Sequence, residues 1–587
     1  MNGWTLPRMA GSLVLMIMAG GALRAYGAQI SSGDQKEYQD AIRAVDQELA
    51  RVETRHSCPG IDLVVGCGDR TCDSDAGETL VSCPADCLSA PVRSYNQQTL
   101  CSEVQKVFTP GSVAEFEQAV GSALNAREKV RVVGRLHSAN SQLCNGAVVI
   151  STERFNQIHG LDRIDGEEAV VVDPGVTMEA LTEWLHDRRK SLGFAIMGFR
   201  GVSIAGAIGT GSHGSSAIHP AIISSRVLAL ELIDGRGRWI RVDHQGARMI
   251  PSGLPILAPG VPTGDWLKAV RTHLGVLGAI TKVWLRVEPQ FNLEVQVTSF
   301  SDDKLIGKPD ALLSQVKDCD YGQLNWFPGT ERVVRTCGKK TTRPADAGAQ
   351  NVLLNPTVPD AFVKPVKKVL QYGACHPGLN CLLEKARYAT FKFQPPFEKK
   401  NSSGEPERTT EVVGPSHRLM SSVLTRHQDG FFQMDWELAV PASKAQAALE
   451  EVRRFASERK ICLPLVGVFI RFAPSEDATL LAHTTSLGEF KAGEPVVFIE
   501  MPVYLPTAFP KEMAADYDSK YEDFARLLIE KFSGRAHWGK NRDWTLAWQT
   551  ERDMYGPNFG RFRKVLGALD PGGLFQNEFS RKVGLSP

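Results

Sequence analysis

Apolar positions along the first half of the chain repeat with two different periods. In Lys129–Leu143, Val130 and Val132 alternate with their neighbours, the period of a half-buried strand. Gly134 then frees the backbone for a turn, and His137 heads a polar Ser138-Ala139-Asn140-Ser141 run. Ala147 to Ile150 supplies a second, apolar strand. Upstream, Phe116, Val120 and Leu124 recur at i, i+4 and i+8, which predicts an amphipathic helix with Ser112 as N-cap and Glu115 as its capping-box partner. Downstream, Glu168 to Val172 reads as a buried strand and Asp173-Pro174-Gly175 as a turn. Thr177 then caps a helix that shows Leu181 and Leu185 on one face and ends near Gly193. Val227 to Ile233 and Trp239 to Val242 flank Asp234-Gly235-Arg236-Gly237 as a hairpin. From Phe291 to about Leu528 short strands alternate with helices, so the expected class is α+β.

A chain of 587 residues exceeds one core, so several domains are expected. A net charge of +1 gives no bulk signal for nucleic acid. Arg8, the apolar run Met9 to Leu23 and the small exit residues Ala25-Tyr26-Gly27-Ala28 describe a secretory signal peptide cut after Gly27 or Ala28. An uncleaved anchor is the alternative, and no later stretch is apolar enough to span a bilayer. Six of the 12 cysteines, Cys58, Cys67, Cys72, Cys83, Cys87 and Cys101, crowd into one segment and read as a disulfide framework of an exported module. Asp69, Asp73, Asp75, Glu78 and Asp86 give only part of a calcium-loop pattern, so they read as solvated acids and no metal site is assigned. Cys375 and Cys381 are close enough for a local disulfide.

Gly209-Thr210-Gly211-Ser212-His213-Gly214 fits G-x-G-x-x-G, and Glu231 follows at the spacing of a ribose-binding acid. A dinucleotide fold needs a helix directly after the glycines, whereas a polar run broken by Pro220 follows here. The glycines still allow close backbone approach, and successive N–H groups can cradle a diphosphate.

Together, VRVVGRLHSANSQLC, VVVDPGVTMEALTEWL, VSIAGAIGTGSHGSS, WLKAVRTHLGVLGAITKVWLRVEPQF, RAHWGKNRDW and LGALDPGGLFQNEF resemble the vanillyl-alcohol-oxidase superfamily with its PCMH-type FAD-binding domain. Within it they are similar to the sugar-1,4-lactone oxidases and alditol oxidases. VVGPSHRLMSS and the HWGKNR run look closest to the plant-type L-gulonolactone oxidases. The likeness runs from about Val104 to Leu585 and leaves out the cysteine module. With the signal peptide (1–27) and the Cys-rich module (28–101) read above, it implies a PCMH-type FAD-binding domain (102–290), an α/β substrate or cap domain (291–530) and a C-terminal segment (531–587) returning to the FAD domain.

The resemblance also implies which residues hold FAD. The first loop supplies Val133, Gly134, Arg135, Leu136, Ser138, Ala139 and Asn140, with His137 bonded covalently to the flavin. The second, Gly198 to Gly214, supplies Ile204, Ala205, Gly206, Gly209, Thr210, Gly211, Ser212, His213 and Gly214. Gly278 and Ile280 complete the set. Cys144 reads as buried or disulfide-paired. Relatives carry Glu-x-Arg where this chain has Phe469-Ile470-Arg471, a departure that implies altered specificity. Arg471 and Lys540 are the implied catalytic groups, with His537 beside the substrate. Glu437 and Glu500 are possible replacements for the missing carboxylate.

The implied function is a secreted or periplasmic, cell-envelope oxidase. It would oxidise an aldono-1,4-lactone of the L-gulono or D-arabinono type, with hydride passing to flavin N5 and O2 as acceptor giving H2O2. An alditol or sugar oxidase, a lactone dehydrogenase with another acceptor, and a non-catalytic secreted binding protein on a flavin fold are the other readings.

Overall fold

The computed structural model describes residues 104–586, apart from 145–146, 194–199, 309, 353–375, 394, 422–430, 464–466 and 507–510, together with scattered positions before residue 102. The expected signal peptide and nearly all of the Cys-rich module lie outside the described residues.

Strands β1 (Lys106–Phe108), β2 (Val130–Val133) and β3 (Val148–Ser151) form a parallel sheet in the order β1-β3-β2. Helix α1 (Val113–Ala126) covers it with Phe116, Ala119, Val120 and Ala123. Ser112 caps α1 as expected, accepting from the Glu115 N–H at 3.3 Å. The Glu115 carboxylate reaches the Gly111 N–H instead of Ser112, so the box closes one residue early. β2 is not half-buried. Arg131 is as buried as Val130, because its guanidinium donates to the carbonyls of Leu274 (3.0 Å) and Gly275 (3.1 Å) and so covers the second face.

An antiparallel six-stranded sheet follows, built from β4 (Ile158–Ile164), β5 (Glu167–Val172), β6 (Val227–Ile233), β7 (Trp239–Asp243), β8 (Gly246–Met249) and β9 (Ala279–Arg286), in the order β4-β5-β9-β6-β7-β8. The hairpin β6–β7 matches the sequence reading. Helix α2 (Met178–His186) is capped by Thr177, whose hydroxyl accepts from the Ala180 N–H. It stops at His186 rather than near Gly193, and the chain turns through Arg189 in the left-handed region. Helix α3 (Ile204–Thr210) lies where a glycine loop was expected. Gly206 and Gly209 sit inside it, and Gly211 ends it at φ 71°. A Cβ on Gly209 would come 2.6 Å from the His273 ring, so the glycine serves close packing of a helix rather than a turn.

The second large sheet is antiparallel, with strands β10 (Asn292–Ser301), β11 (Tyr321–Phe327), β12 (Arg332–Thr341), β13 (Glu411–Pro415), β14 (Phe431–Pro441), β15 (Val468–Pro474), β16 (Pro495–Pro506) and β17 (Arg535–Ala536). Their order is β13-β10-β12-β11-β15-β16-β14-β17. Helices α4 (Ala442–Glu458) and α5 (Lys511–Phe532) pack on it through Leu449, Val452, Phe524 and Leu528. One hydrophobic cluster runs from Val170 and Leu230 in the six-stranded sheet to Trp326, Leu438 and Ile499 in this one. Near the C-terminus, Leu574 and Phe575 join the core under α1, and the Val130 N–H donates to the Leu574 carbonyl at 2.9 Å.

Two cysteine readings are corrected. Cys101 pairs with Cys144, so it leaves the N-terminal framework and ties that segment to the His137 loop. Cys381 pairs with Cys462 across a separation of 81 residues, not with Cys375, because the helix Pro377–Phe393 packs beside the loop that leads into β15. Cys319–Cys337 is a third bridge, and no described cysteine is free. Among the described residues no helix is long and apolar enough to cross a membrane.

Candidate active site

The first loop is shaped by Leu136, not by Gly134. Leu136 holds φ 58°, a left-handed conformation that is costly for a branched residue and concentrates at functional sites. Gly134 is needed for space, since a Cβ there would stand 1.8 Å from the hydroxyl of Ser203, which precedes α3. Val133 and Leu136 pack with Val92, Cys101 and Cys144, and Arg135 pairs with Glu153 at the surface. Both ring nitrogens of His137 are shielded from water. Burial, partly offset by a hydrogen bond to the Arg135 backbone, pushes the His137 pKa down to about 4. The imidazole is therefore neutral at pH 7 and keeps a lone pair.

The residues after His137 are sewn to the 537–540 segment. The Ala139 N–H donates to the Gly539 carbonyl at 2.9 Å. Asn140 Nδ2 donates to the carbonyls of Trp538 (2.8 Å) and Lys540 (3.1 Å), and Gln142 Nε2 to Trp538 (2.9 Å). Thr210 at the end of α3 meets the same segment, because a Cβ on Gly539 would lie 3.4 Å from it. The His137 loop, α3 and the Lys540 segment thus converge. Ser138 is half-buried in that loop, and Ile204, Ala205 and Gly206 lie on α3. Ser212 and Gly214 bond back through their N–H groups to the carbonyls of Ala207 and Ala221. Gly278, at φ 144°, has no room for a Cβ against the Ile233 carbonyl, and Ile280 points into the core.

The convergence faces a ring of buried charge. In the sheet register Phe469 on β15 stands opposite Glu500 on β16, and Glu500 opposite Glu437 on β14. Directly opposed residues share a face, so two carboxylates lie in the row that begins at Phe469. Arg471 Nη2 donates to Glu437 and, at 2.5 Å, to Glu500. Lys540 Nζ donates to Glu437 at 2.8 Å and also to Glu500. Arg471, Glu437 and Glu500 are each at least nine-tenths buried, whereas the Lys540 side chain keeps 21% exposure and is the open corner. Burial disfavours the Lys540 charge, but Glu437 and Glu500 more than offset it and hold its pKa above the ordinary lysine value. Burial likewise opposes charge on Glu437, yet Arg471, Lys540 and His213 hold it well below the usual carboxylate range. Glu500 goes the other way: burial outweighs the same two cations and pushes it up to about 7.

Three histidines line the inner side of this ring: His213, His483 and His537, with candidate ligand nitrogens within 4.8 Å of one another. Their hydrogen bonds argue against a metal. His213 Nδ1 must donate to the Gly214 carbonyl (2.9 Å), and its Nε2 meets Glu437 Oε1 at 2.6 Å. His537 Nδ1 accepts from the Gly539 N–H at 3.0 Å, which leaves the proton on Nε2. A metal would have to break one bond at His213 and one at His537. His213 stacks on Phe498 with centroids 3.7 Å apart, and His483 meets Phe498 edge-on at 5.1 Å.

The sequence-predicted Arg471, Lys540 and His537 thus come together. Glu437 and Glu500 join them as full partners. The His213 side chain belongs to this ring rather than to the backbone cradle implied for its loop. His483 was missed, since Leu480-Leu481-Ala482-His483 reads only as apolar chain entering a loop.

No ligand accompanies the chain, and the residues fit FAD on chemical grounds. A neutral imidazole with shielded nitrogens suits a covalent tether, and a partly exposed cation on the segment bonded to the same loop suits a cofactor that gains negative charge on reduction.

Comparison with known proteins agrees with this geometry. Residues 283–583 match the D-arabinono-1,4-lactone oxidase family, and residues 104–243 match an FAD-binding domain. The chain is 25% identical over 480 residues to L-gulonolactone oxidase of Bos taurus, covering 81% of this chain and 94% of the relative. It is 24% identical over 516 residues to probable L-gulonolactone oxidase 1 of Arabidopsis thaliana, covering 84% and 81%. It is 23% identical over 480 residues to L-gulono-1,4-lactone dehydrogenase of Mycobacterium tuberculosis, covering 81% and 95%. A solved cholesterol oxidase from Brevibacterium sterolicum shares the fold with TM-score 0.65 at 14% identity, over 84% of this chain and 96% of that one.

Proposed function

Since the chain belongs to the D-arabinono-1,4-lactone oxidase family, we propose that it oxidises an aldono-1,4-lactone with covalently held FAD outside the cytoplasm. The observation that carries this reading is the Arg471–Glu437–Lys540–Glu500 ring, facing the segments expected to hold FAD. Such a buried ring costs desolvation that fold stability alone does not demand, which argues against a non-catalytic binding protein.

FAD, when bound, would supply a two-electron acceptor for the hydride, with dioxygen as the final acceptor giving hydrogen peroxide. The chain does the rest. Arg471 binds the lactone carbonyl, and its guanidinium is held 4.7 Å from the Phe469 ring centroid. Phe469 packs on the apolar face of the sugar ring. Glu500, cross-strand from Phe469, takes the place of the missing carboxylate and accepts the proton of the hydroxyl being oxidised, and Lys540 stabilises the negative charge that develops. The relative named as a dehydrogenase favours a second reading, the same chemistry with another electron acceptor.

Glu500 makes the pH dependence specific. With its carboxyl pushed up to about 7, the base form grows as pH rises through that value. The ratio kcat/KM is expected to rise through about pH 7 and level off. Glu500→Gln is expected to lower it about 100-fold and abolish that limb; an unchanged limb would remove Glu500 from the role.

The tether is tested by acid precipitation. Wild-type protein is expected to carry its yellow colour into the pellet and His137→Ala to leave it in the supernatant. A coloured His137→Ala pellet would place the bond elsewhere. Export is supported by the disulfides Cys101–Cys144, Cys319–Cys337 and Cys381–Cys462, since structural disulfides persist in oxidising compartments.

A further inference from the structure

The contact between His213 and Glu437 contains one more proton than either side chain accounts for. A carbonyl oxygen only accepts, so the 2.9 Å contact to Gly214 fixes a proton on His213 Nδ1. In a neutral imidazole Nε2 is then a lone pair. It faces Glu437 Oε1 at 2.6 Å, and two lone pairs at that distance repel. Burial by itself favours a neutral imidazole, and the neighbouring cations favour an ionised Glu437. The contact overrides both, because it requires a proton between the two atoms.

We propose that His213 is a positioning residue for the reaction, keeping one shared proton on its bond to Glu437 so that the pair is neutral as a unit. The ring is then one charge more positive toward the cofactor than an unprotonated pair would make it. Glu437 Oε2 still accepts from Arg471 and Lys540, so its hydrogen-bonding role is kept while its full negative charge is not. Two-electron reduction adds negative charge to the cofactor, and a more positive ring favours that state. The groups that face the pair are Arg471, Lys540, Glu500, Asp435, His483 and His537. No other described contact places an imidazole and a carboxylate of this ring within hydrogen-bonding distance.

The inference rests on the reading of this site as a flavin site, and it is tested on the FAD-loaded protein by the flavin midpoint potential. His213→Gln keeps a donor to Glu437 but carries no titratable proton. It is expected to shift the oxidised-to-reduced equilibrium at least tenfold toward the oxidised form, a fall of about 30 mV for a two-electron couple. Glu437→Gln removes a charge on paper, yet it can donate to Nε2 of a neutral His213 and leaves the pair neutral, so the potential is expected to stay within half that shift. If Glu437 is instead an ordinary carboxylate, Glu437→Gln will raise the potential by about 30 mV or more, and the shared proton is overturned. Glu437→Gln decides the matter alone should His213→Gln fail to hold FAD. A wild-type protein that holds no FAD would overturn the flavin-site reading itself, and is recognised by its lack of colour.

Discussion

Lys540→Met is expected to lower kcat by about 10²–10³-fold while leaving FAD bound, the loss seen when one preorganised donor is taken from a developing negative charge. Lys540 is the most exposed corner of the ring, at 21% side-chain exposure, while the other members are at least nine-tenths buried. Removing it leaves Glu437 and Glu500 to Arg471 alone, so the face presented to cofactor and substrate loses one positive charge. KM is expected to change less than kcat, because Arg471 still binds the lactone. Steady-state kinetics on a lactone, with flavin content measured on the same sample, checks this. A variant that keeps more than a tenth of wild-type kcat would remove Lys540 from the transition state.

Glu437→Ala is expected to have the largest effect on stability, about 3–5 kcal/mol, the range found when one partner of a buried ion pair is removed. Glu437 is fully buried and accepts from Arg471, Lys540 and His213, with the Asn541 amide bonded to its carbonyl. Alanine would strand the Arg471 charge inside the protein with Glu500 alone, at a site where Glu500 is itself only partly ionised at neutral pH. Urea denaturation checks this, and Glu437→Gln should lose clearly less, because the amide still accepts from both cations. Equal losses would mean that the carboxylate charge alone, not the retained hydrogen bonds and volume, sets the cost.

Much of this site was legible because its motifs are short and local. His137 stood out as one histidine between two strands, and His537 to Lys540 as one run, so both could be singled out without knowing the sheet. Glu437 and Glu500 were harder to read. They are 63 positions apart, and only the antiparallel register of β14, β15 and β16 sets them beside Phe469 and Arg471. The departure at Phe469 therefore looked like a lost carboxylate, when Glu500 stands directly across from it. Gly134 was read for its backbone freedom, whereas packing against Ser203 is what it provides, and the left-handed turn falls on Leu136, which nothing local announces. The disulfide Cys381–Cys462 was beyond reach for the same reason as the two glutamates, since tertiary packing and not spacing chooses the partner.

One anaerobic titration tests the proposed function most directly. L-gulono-1,4-lactone and D-arabinono-1,4-lactone are added in turn to the FAD-loaded protein while its visible flavin absorbance is followed, and air is then admitted. The visible band is expected to bleach with at least one lactone and to return in air with release of hydrogen peroxide. A band that stays unchanged with these lactones, and with a panel of alditols and sugars, would contradict the proposed function.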